Sequence, residues 1–190
     1  MKNMQSEKKE IRRQIAEEKK AFLRNAPKDI SESLWKQIED LPVFKASRTI
    51  LLYHSLPDEV ETHCVIEKWS RTKKIVLPVV VGDELELREY KDTQSLQRGS
   101  FGILEPQGET INKKEIDLAI VPGVAFDSRG HRLGRGKGFY DRLFSHITPY
   151  KIGVCFAFQV RDELPSDSFD IRMDEVWNEK GKVCGNIRNQ

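Results

Sequence analysis

The chain has 190 residues, of which 38% are hydrophobic and 33% are charged, and its formal net charge is +2 at pH 7. This composition is typical of one folded domain, here residues 1–190, and it excludes a disordered chain. No apolar run approaches the roughly 20 residues of a membrane span, and the near-neutral charge gives no reason to expect a nucleic-acid partner.

The first half of the chain predicts two helices, followed by alternating strands and helices. Residues 7–24 lack glycine and proline and are rich in helix formers, and apolar residues repeat at helical spacing over residues 30–41. The short apolar run at 49–53 (TILLY) predicts a buried strand. Thr62 can cap the helix that follows, and KIVLPVVV at 74–81 predicts the next strand.

The second half continues this alternation. Apolar and polar residues alternate over 84–90, which predicts a half-exposed strand, and the whole of 84–106 is interpreted as a hairpin or an antiparallel sheet edge. Buried strands are predicted for DLAIV (117–121) and KIGVCFAF (151–158), with a helix between them over 139–147. Continuous apolar strands imply a sheet covered on both faces, so the pattern predicts a layered α/β fold with right-handed crossovers.

Three features narrow the class of protein further. The N-terminus, MKNMQSEKKEIRRQ, has no apolar segment after its charges, so we expect no secretory signal and a cytoplasmic location. The three cysteines are scattered and form no CxxC pair, which predicts buried, reduced thiols. The four histidines show no zinc-ligand spacing, so we expect no structural metal.

The segment PGVAFDSRGHRLGRGKGFYD (122–141) carries the strongest functional signal. It directly follows the strand DLAIV, contains five of the twelve glycines and ends in a helix that begins near Phe139. Ligands of open α/β sheets bind outside the carboxyl ends of strands, where this segment begins. Alternating glycines let backbone N–H groups approach an anion, and the helix N-terminus adds its dipole. With Arg132, Arg135 and Lys137, the segment forms a predicted phosphate cradle.

Two interpretations of this loop stay open on the residues alone. Its spacing is not that of a Walker A loop, because Lys137 is followed by Gly138 rather than by Ser or Thr, and it is not GxGxxG. The loop is therefore either a phosphate site or a solvated basic loop. Asp141, at the start of the following helix, could hold a hydrated Mg²⁺ or simply be a favourable acid in the first turn.

Three smaller groups of charged residues are ambiguous in the same way. Asp170 and Asp174 lie four residues apart and could complete a metal site or face solvent. The acids of LPDEVET (56–62) follow the strand TILLY and could accept the N–H donors of a heterocycle or remain solvated. Lys8 and Arg12 lie one turn apart on a predicted helix, where they could clamp phosphates or form a solvated face.

Taken in order, these segments resemble the 5-formyltetrahydrofolate cyclo-ligase family. The resemblance rests on KKEIR (8–12), LPDEVET (56–62), GSFGILEP (99–106), PGVAFDSRGHRLGRGKGFYD (122–141) and MDEV (173–176). The glycine-rich segment is the most specific of them. The resemblance implies a single-domain three-layer α/β/α sandwich around a mostly parallel mixed sheet, which is a Rossmann-like fold.

The resemblance also implies roles for individual residues outside the glycine-rich loop. Lys8 and Arg12 correspond to ATP-binding positions of the family. Leu56 and Glu61 correspond to positions that contact the folate, and the prediction for Glu61 is that it accepts the N–H donors of the pterin. Asp174 corresponds to an Mg²⁺ ligand.

The glycine-rich loop itself corresponds to the family's ATP-binding loop, with Asp141 just after it as the other Mg²⁺ ligand. We expect Arg135 and Lys137 to act in catalysis, and the run from Arg135 to Phe139 also to border the substrate. Phe139 stands where the family often has tyrosine, so a hydroxyl is lost and a stacking ring is kept. The predicted ATP-binding residues of the loop are Arg132, Leu133, Gly134, Arg135, Gly136, Lys137, Gly138, Phe139 and Tyr140.

The activity implied by the resemblance is the ATP-dependent conversion of 5-formyltetrahydrofolate to 5,10-methenyltetrahydrofolate, with Mg²⁺ as cofactor. We expect a monomer whose ligands are 5-formyltetrahydrofolate and ATP. One rival hypothesis is a related ATP-using enzyme with another amide or folate substrate, which turnover assays on several folates would identify. The other is a non-enzymatic module, which steep salt-dependent RNA binding without ATP turnover would favour.

Overall fold

The computed structural model describes residues 3–99 and 102–185, apart from residues 26 and 28. Its helices are α1 (Met4–Asn25), α2 (Ile30–Asp40), α3 (Pro42–Ala46), α4 (His63–Ser70) and α5 (Phe139–His146). Its strands are β1 (Thr49–Leu51), β2 (Lys74–Val81), β3 (Glu84–Glu89), β4 (Leu96–Arg98), β5 (Leu104–Pro106), β6 (Leu118–Pro122), β7 (Ala125–Asp127), β8 (Arg132–Leu133), β9 (Tyr150–Val154), β10 (Val160–Arg161), β11 (Glu175–Asn178) and β12 (Gly181–Gly185). In these residues, no helix combines the length and the apolar character that crossing a membrane requires.

Seven of these strands form the central sheet, in the order β12-β11-β9-β6-β1-β2-β3. The five inner strands run parallel, whereas β3 and β12 lie antiparallel at the two edges. The chain passes through α4 between β1 and β2 and through α5 between β6 and β9, so helices supply the crossovers that parallel neighbours require. The mostly parallel mixed sheet predicted from the sequence is confirmed.

Alternate residues of the buried strands face two separate hydrophobic cores. Ile50 and Ile120 belong to the core that also contains residues of α2 and α4, whereas Leu51 and Val121 belong to the core that contains residues of α5. Helices therefore cover both faces of the sheet, as the continuous apolar strands predict. The three layers place every inner strand in an apolar environment.

Some boundaries differ from the predictions. β1 ends at Leu51 and β9 at Val154, both earlier than predicted, because the chain leaves the sheet there to form the loops beyond its carboxyl edge. Residues 84–106 contain both structures that were considered: β3 pairs with β2 at the sheet edge, and β4 and β5 form a hairpin. Ser100 and Phe101 of the motif GSFGILEP lie outside the described residues.

The N-terminal capping of α4 also differs from the prediction. Thr62 occupies the N-cap position as predicted, but its hydroxyl donates to the Tyr53 carbonyl at 2.7 Å rather than capping the helix. The Glu61 carboxylate accepts the first-turn N–H groups of His63 and Cys64 instead. Cys64 is exposed, which contradicts the prediction of a buried thiol at this position, since the helix turns this face to solvent.

A second, three-stranded sheet, in the order β10-β7-β8, carries the start of the glycine-rich segment. Asp127, at the end of β7, is fully buried. Its carboxylate accepts the backbone N–H groups of Arg129 and His131 at 2.9 Å and of Leu164 at 3.0 Å, and it lies 2.9 Å from Nδ1 of His131. This one side chain therefore organises the turn that leads into β8.

We predict that Asp127→Asn destabilises the protein by about 3 kcal/mol, because an amide nitrogen would face N–H donors in a buried position. Urea unfolding should show a lower midpoint with an unchanged slope. Asp162→Asn, at an exposed position, is the matched control and should leave the midpoint where it is. Equal midpoints for the two variants would mean that the Asp127 carboxylate does not organise the turn.

Candidate functional site

A cavity of about 640 Å³ lies at the carboxyl ends of the parallel strands. Tyr53 and His54 follow β1, Val80 lies near the end of β2, and Pro122 ends β6. Ligands of open α/β sheets bind at this edge, so the cavity lies where the sequence predicts a ligand. Residues of α1, of the segment 132–141 and of the chain around β5 complete the lining.

The glycine-rich loop, residues 132–140, lines the cavity along its whole length. Its first two residues form β8, which pairs with β7, and its last two begin α5. Gly136 and Gly138 have φ angles of +96° and +67°, a left-handed conformation that costs glycine little. Gly138 is the N-cap of α5, so the positive end of that helix dipole is at the cavity.

Helix α1 brings two further cations to the cavity. Lys8 is buried, with its Nζ 2.5 Å from the Asp170 carboxylate. Arg12 donates from Nε to the Gly134 carbonyl at 2.8 Å. Burial lowers the pKa of Arg12, and the charge of Asp170 opposes that shift. The Arg12 contact fastens α1 to the glycine-rich loop, and the Lys8 contact fastens it to the segment that contains Asp170.

Arg132 is the deeply placed cation of the loop, with a side chain that is 6% exposed. Its guanidinium lies 5.2 Å from the centroid of the Tyr140 ring and 3.4 Å from the Asp141 carboxylate. Its Nε has no hydrogen-bond partner in the part of the chain that the structure describes. A buried guanidinium with a long carboxylate contact and an unused donor is well suited to receive an anion.

Arg135 joins the glycine-rich loop to the acids of LPDEVET. Its Nη2 lies 3.0 Å from the Asp58 carboxylate and 2.9 Å from that of Glu59. Asp58 also pairs with the buried Lys19 of α1 at 2.9 Å. Burial acts to lower the pKa of Arg135, but the hydrogen bonds and charges of Glu59 and Asp58 outweigh it and raise the pKa. Arg135 is therefore held as a cation at the cavity wall, next to the exposed Lys137.

Another part of the lining is largely apolar. Pro78 and Val80 come from β2, Leu85 from β3 and Ile103 from the residue before β5. Tyr53 adds a buried ring whose hydroxyl donates to a backbone carbonyl at 2.9 Å, and burial raises the pKa of that hydroxyl well above its usual value. An apolar surface with few polar groups suits a flat heterocyclic ring.

The structure brings most of the predicted site residues together. Lys8, Arg12, Leu56, Asp141 and every residue from Arg132 to Tyr140 line the cavity.

Two predicted residues do not line it. Glu61 caps α4, with its carboxylate 3.2 Å from the N–H of Cys64. Asp174 is buried, and its carboxylate accepts the backbone N–H of Lys151 at 2.7 Å and lies 3.1 Å from Nζ of the same residue.

Five polar residues line the cavity although the sequence assigned them no definite role: Gln5, His54, Glu59, Glu105 and Asp170. Glu59 belongs to LPDEVET, Glu105 belongs to GSFGILEP, and Asp170 lies four residues before Asp174, but the spacing of acids does not show which carboxylate points inward. His54 directly follows the strand TILLY, so its position at a strand exit was the available signal. Gln5 gave no signal of its own.

The fold and the cavity define a class of protein: an α/β protein with a cationic, glycine-rich anion site beside an apolar pocket. The sequence profile of the 5-formyltetrahydrofolate cyclo-ligase family matches residues 4–179. The chain belongs to this family.

Individual relatives agree with this assignment. A probable 5-formyltetrahydrofolate cyclo-ligase of Schizosaccharomyces pombe is 33% identical over 178 residues, which cover 83% of this chain and 87% of the relative. The solved structure of Aquifex aeolicus 5,10-methenyltetrahydrofolate synthetase superposes with a TM-score of 0.86 at 35% identity, covering 96% of this chain and 94% of that one. The synthetase of Mycoplasma pneumoniae gives a TM-score of 0.71 at 25% identity, with coverages of 90% and 98%.

We predict that His54 stays neutral at pH 7. Burial, together with His63, whose ring centroid lies 4.1 Å away, lowers the pKa of His54 from 6.5 to about 4. The unfolded chain binds this proton more tightly, so the contribution of His54 to stability is intact above pH 6.5 and is lost as the pH falls towards 4.

An NMR titration of the imidazole resonances measures this midpoint. In His63→Asn the pKa of His54 should rise, because the electrostatic effect of His63 contributes to the lowering. A His54 pKa near 6.5 in the unmodified chain would contradict the prediction.

Proposed function

We propose that this chain converts 5-formyltetrahydrofolate and ATP to 5,10-methenyltetrahydrofolate, ADP and phosphate. The observation that carries the proposal is one cavity in which a cationic glycine-rich loop meets an apolar wall with inward-facing carboxylates. The loop offers what a triphosphate requires, and the wall offers what a reduced pterin requires. Membership of a family named for this folate supports the same reaction. The proposal retains the monomeric, cytoplasmic enzyme expected from the sequence.

The reaction needs an activation step because the formyl group is an amide, with a weakly electrophilic carbon and a poor leaving oxygen. Attack of the formyl oxygen on the γ-phosphorus breaks the bond between that phosphorus and the β–γ bridging oxygen, and ADP leaves. N10 of the folate then attacks the formyl carbon and loses its proton. This attack closes the five-membered ring, and cleavage of the carbon–oxygen bond then releases phosphate and leaves the methenyl product.

Phosphoryl transfer depends mainly on alignment and charge neutralisation, which the cations of the cavity supply. Arg132 is buried and fixed, so it suits the binding of phosphates that stay in place. Arg135 is held at the cavity wall by Asp58 and Glu59, and the exposed Lys137 lies two residues further along the loop; we assign catalysis to these two cations. Ring closure is intramolecular, so holding N10 close to the activated carbon contributes strongly.

The carboxylates beside the loop fit Mg²⁺, which prefers oxygen ligands. Asp141 and Asp170 both line the cavity, and the Ile171 N–H donates to Asp141 at 3.3 Å, so the two acids are close. In the described residues, no group of three or more His, Cys, Asp or Glu is placed to hold a metal, so phosphate oxygens and water would complete a site at Asp141. There Mg²⁺ would neutralise phosphate charge. A metal-binding role for Asp174 stays a prediction, and it requires this carboxylate to exchange Lys151 for the ion.

A direct test mixes the purified protein with 5-formyltetrahydrofolate, ATP and Mg²⁺ and follows the absorbance of the methenyl product together with ADP. We expect one ADP for each methenyl product and no product without ATP. ATP-dependent turnover of a different folate, with none of this one, would favour the rival enzyme hypothesis.

We predict that Lys137→Ala lowers kcat/KM by about 10²- to 10³-fold, because a cation aimed at the developing phosphoryl charge is lost. The thermal unfolding midpoint should not change, since Lys137 is exposed and has no ion pair among the described residues. Lys91→Ala, also exposed and away from the cavity lining, is the matched control and should be fully active. A fully active Arg135→Ala/Lys137→Ala double variant would remove the cradle assignment.

The variants Glu59→Gln and Glu61→Gln separate the two glutamates of LPDEVET. We expect Glu59→Gln to lower kcat/KM about 10-fold, because Arg135 loses a charged partner at the cavity wall. Glu61→Gln should instead lower stability by about 1 kcal/mol through a weakened cap, with the KM for folate unchanged. A raised KM for folate in Glu61→Gln, with the KM for ATP unaltered, would support the pterin contact predicted from the sequence.

A further inference from the structure

Glu105 is a buried carboxylate that lines the cavity and that the reaction scheme above does not use. It lies on β5 and is 6% exposed. In the part of the chain that the structure describes, its carboxylate accepts one hydrogen bond, from the Val80 N–H, at 3.5 Å. That distance is at the outer limit of a hydrogen bond, so the described residues use little of the acceptor capacity of this carboxylate.

Leaving the Glu105 carboxylate without hydrogen-bond donors is unfavourable, because it is buried in an apolar part of the cavity. The apolar residues that line this part of the cavity come from β2, from β3 and from the residue before β5: Pro78, Val80, Leu85 and Ile103. A carboxylate among apolar groups loses its hydration and regains stability only from hydrogen-bond donors. A ligand that fills this part of the cavity would supply those donors.

Glu59, the other glutamate of the lining, is in a different situation. Its Oε1 lies 2.9 Å from Arg135, and its Oε2 accepts the Leu56 N–H at 3.1 Å. Both oxygens of Glu59 are thus engaged by the protein. Of the two glutamates, Glu105 is the one with oxygens available to a ligand.

Gly99 provides the space in which the Glu105 carboxylate lies. A Cβ atom built on Gly99 would overlap the Oε2 and Cδ atoms of Glu105. The two residues face each other because Gly99 N–H donates to the Ile103 carbonyl at 2.9 Å, which closes the end of the β4–β5 hairpin. The position of the carboxylate therefore depends on the absence of a side chain at residue 99.

We infer that Glu105 recognises the aminopyrimidine edge of the substrate's pterin, through two N–H···O hydrogen bonds in the apolar part of the cavity. A 2-amino-4-oxopyrimidine ring presents an amino N–H and a ring N–H side by side, which matches the two oxygens of a carboxylate. The neighbouring apolar side chains would cover the flat faces of the same ring. The inference rests on the proposed function, because it names the part of the proposed substrate that this side chain binds.

Four variants test it in the full chain. Glu105→Ala and Glu105→Gln remove the charge, and Gly99→Ala displaces the carboxylate while keeping it, since the clash is with the end of a flexible side chain. Glu109→Gln, at an exposed position outside the lining, is the matched control. The measurements are the KM for 5-formyltetrahydrofolate and for ATP, the dissociation constant of 5-formyltetrahydrofolate by calorimetry, and the thermal midpoint.

We expect the KM and the dissociation constant for the folate to rise on the order of 10- to 100-fold in the Glu105 variants, as for lost hydrogen bonds to a charged group. The Gly99→Ala variant should show a smaller rise in the same direction. The KM for ATP and the values of Glu109→Gln should not change. An analogue of the folate that lacks the 2-amino group should bind the unmodified chain and Glu105→Gln with similar affinity.

The outcomes separate this inference from the proposed function. If the unmodified chain turns over 5-formyltetrahydrofolate and the Glu105 variants keep its affinity, Glu105 does not bind the pterin and the proposed function stands. Equal losses for the folate and for its analogue without the 2-amino group would assign Glu105 a structural role and overturn the inference. An unmodified chain that neither binds nor converts the folate would overturn both.

Discussion

The site depends on holding several cations at one edge of a sheet, where their mutual repulsion would otherwise separate them. The chain solves this with carboxylates that come from distant segments. Asp170 pairs with Lys8, and Asp58 pairs with both Lys19 and Arg135. Because the paired residues are distant in the chain, the same interactions that neutralise the cations also join α1 to the segment of Asp170 and, through Asp58, to the glycine-rich loop. A phosphate group entering the cavity would meet cations that are already in position, which reduces the entropy cost of binding.

The sequence was sufficient to predict the main strands of the sheet and the location of the glycine-rich loop. TILLY, KIVLPVVV and DLAIV are apolar on both faces, and an apolar strand of that kind fits only a covered, mostly parallel sheet. The position of the loop at the cavity was predictable because it directly follows the buried strand DLAIV and leads into a helix, which places it at the carboxyl edge of the sheet. The apolar strand patterns and the position of the loop are properties of the local sequence, so they can be recognised without knowledge of the tertiary contacts.

The inward-facing carboxylates could not be predicted in the same way. Glu59 and Glu61 lie two residues apart in an irregular segment, and Glu61 turns to cap α4 because Thr62 bonds to Tyr53 instead. The position of the Glu105 carboxylate depends on Gly99, which directly follows the other strand of the β4–β5 hairpin. The sequence pattern did not establish that this hairpin exists. In each case the direction of a side chain is decided by a contact between segments, which has no signature in the spacing of residues.

The burial of Lys8 and Lys19 has a practical consequence for observing α1. Both lie on this helix, are less than one-tenth exposed and are capped by carboxylates, whereas Lys9 and Lys20 beside them are exposed. An amine-reactive reagent would therefore modify one lysine of each adjacent pair and spare the other for as long as the helix stays docked. Mass spectrometry of the modified peptides would measure how much each buried lysine is labelled relative to its exposed neighbour. Detachment of α1 would raise that labelling ratio.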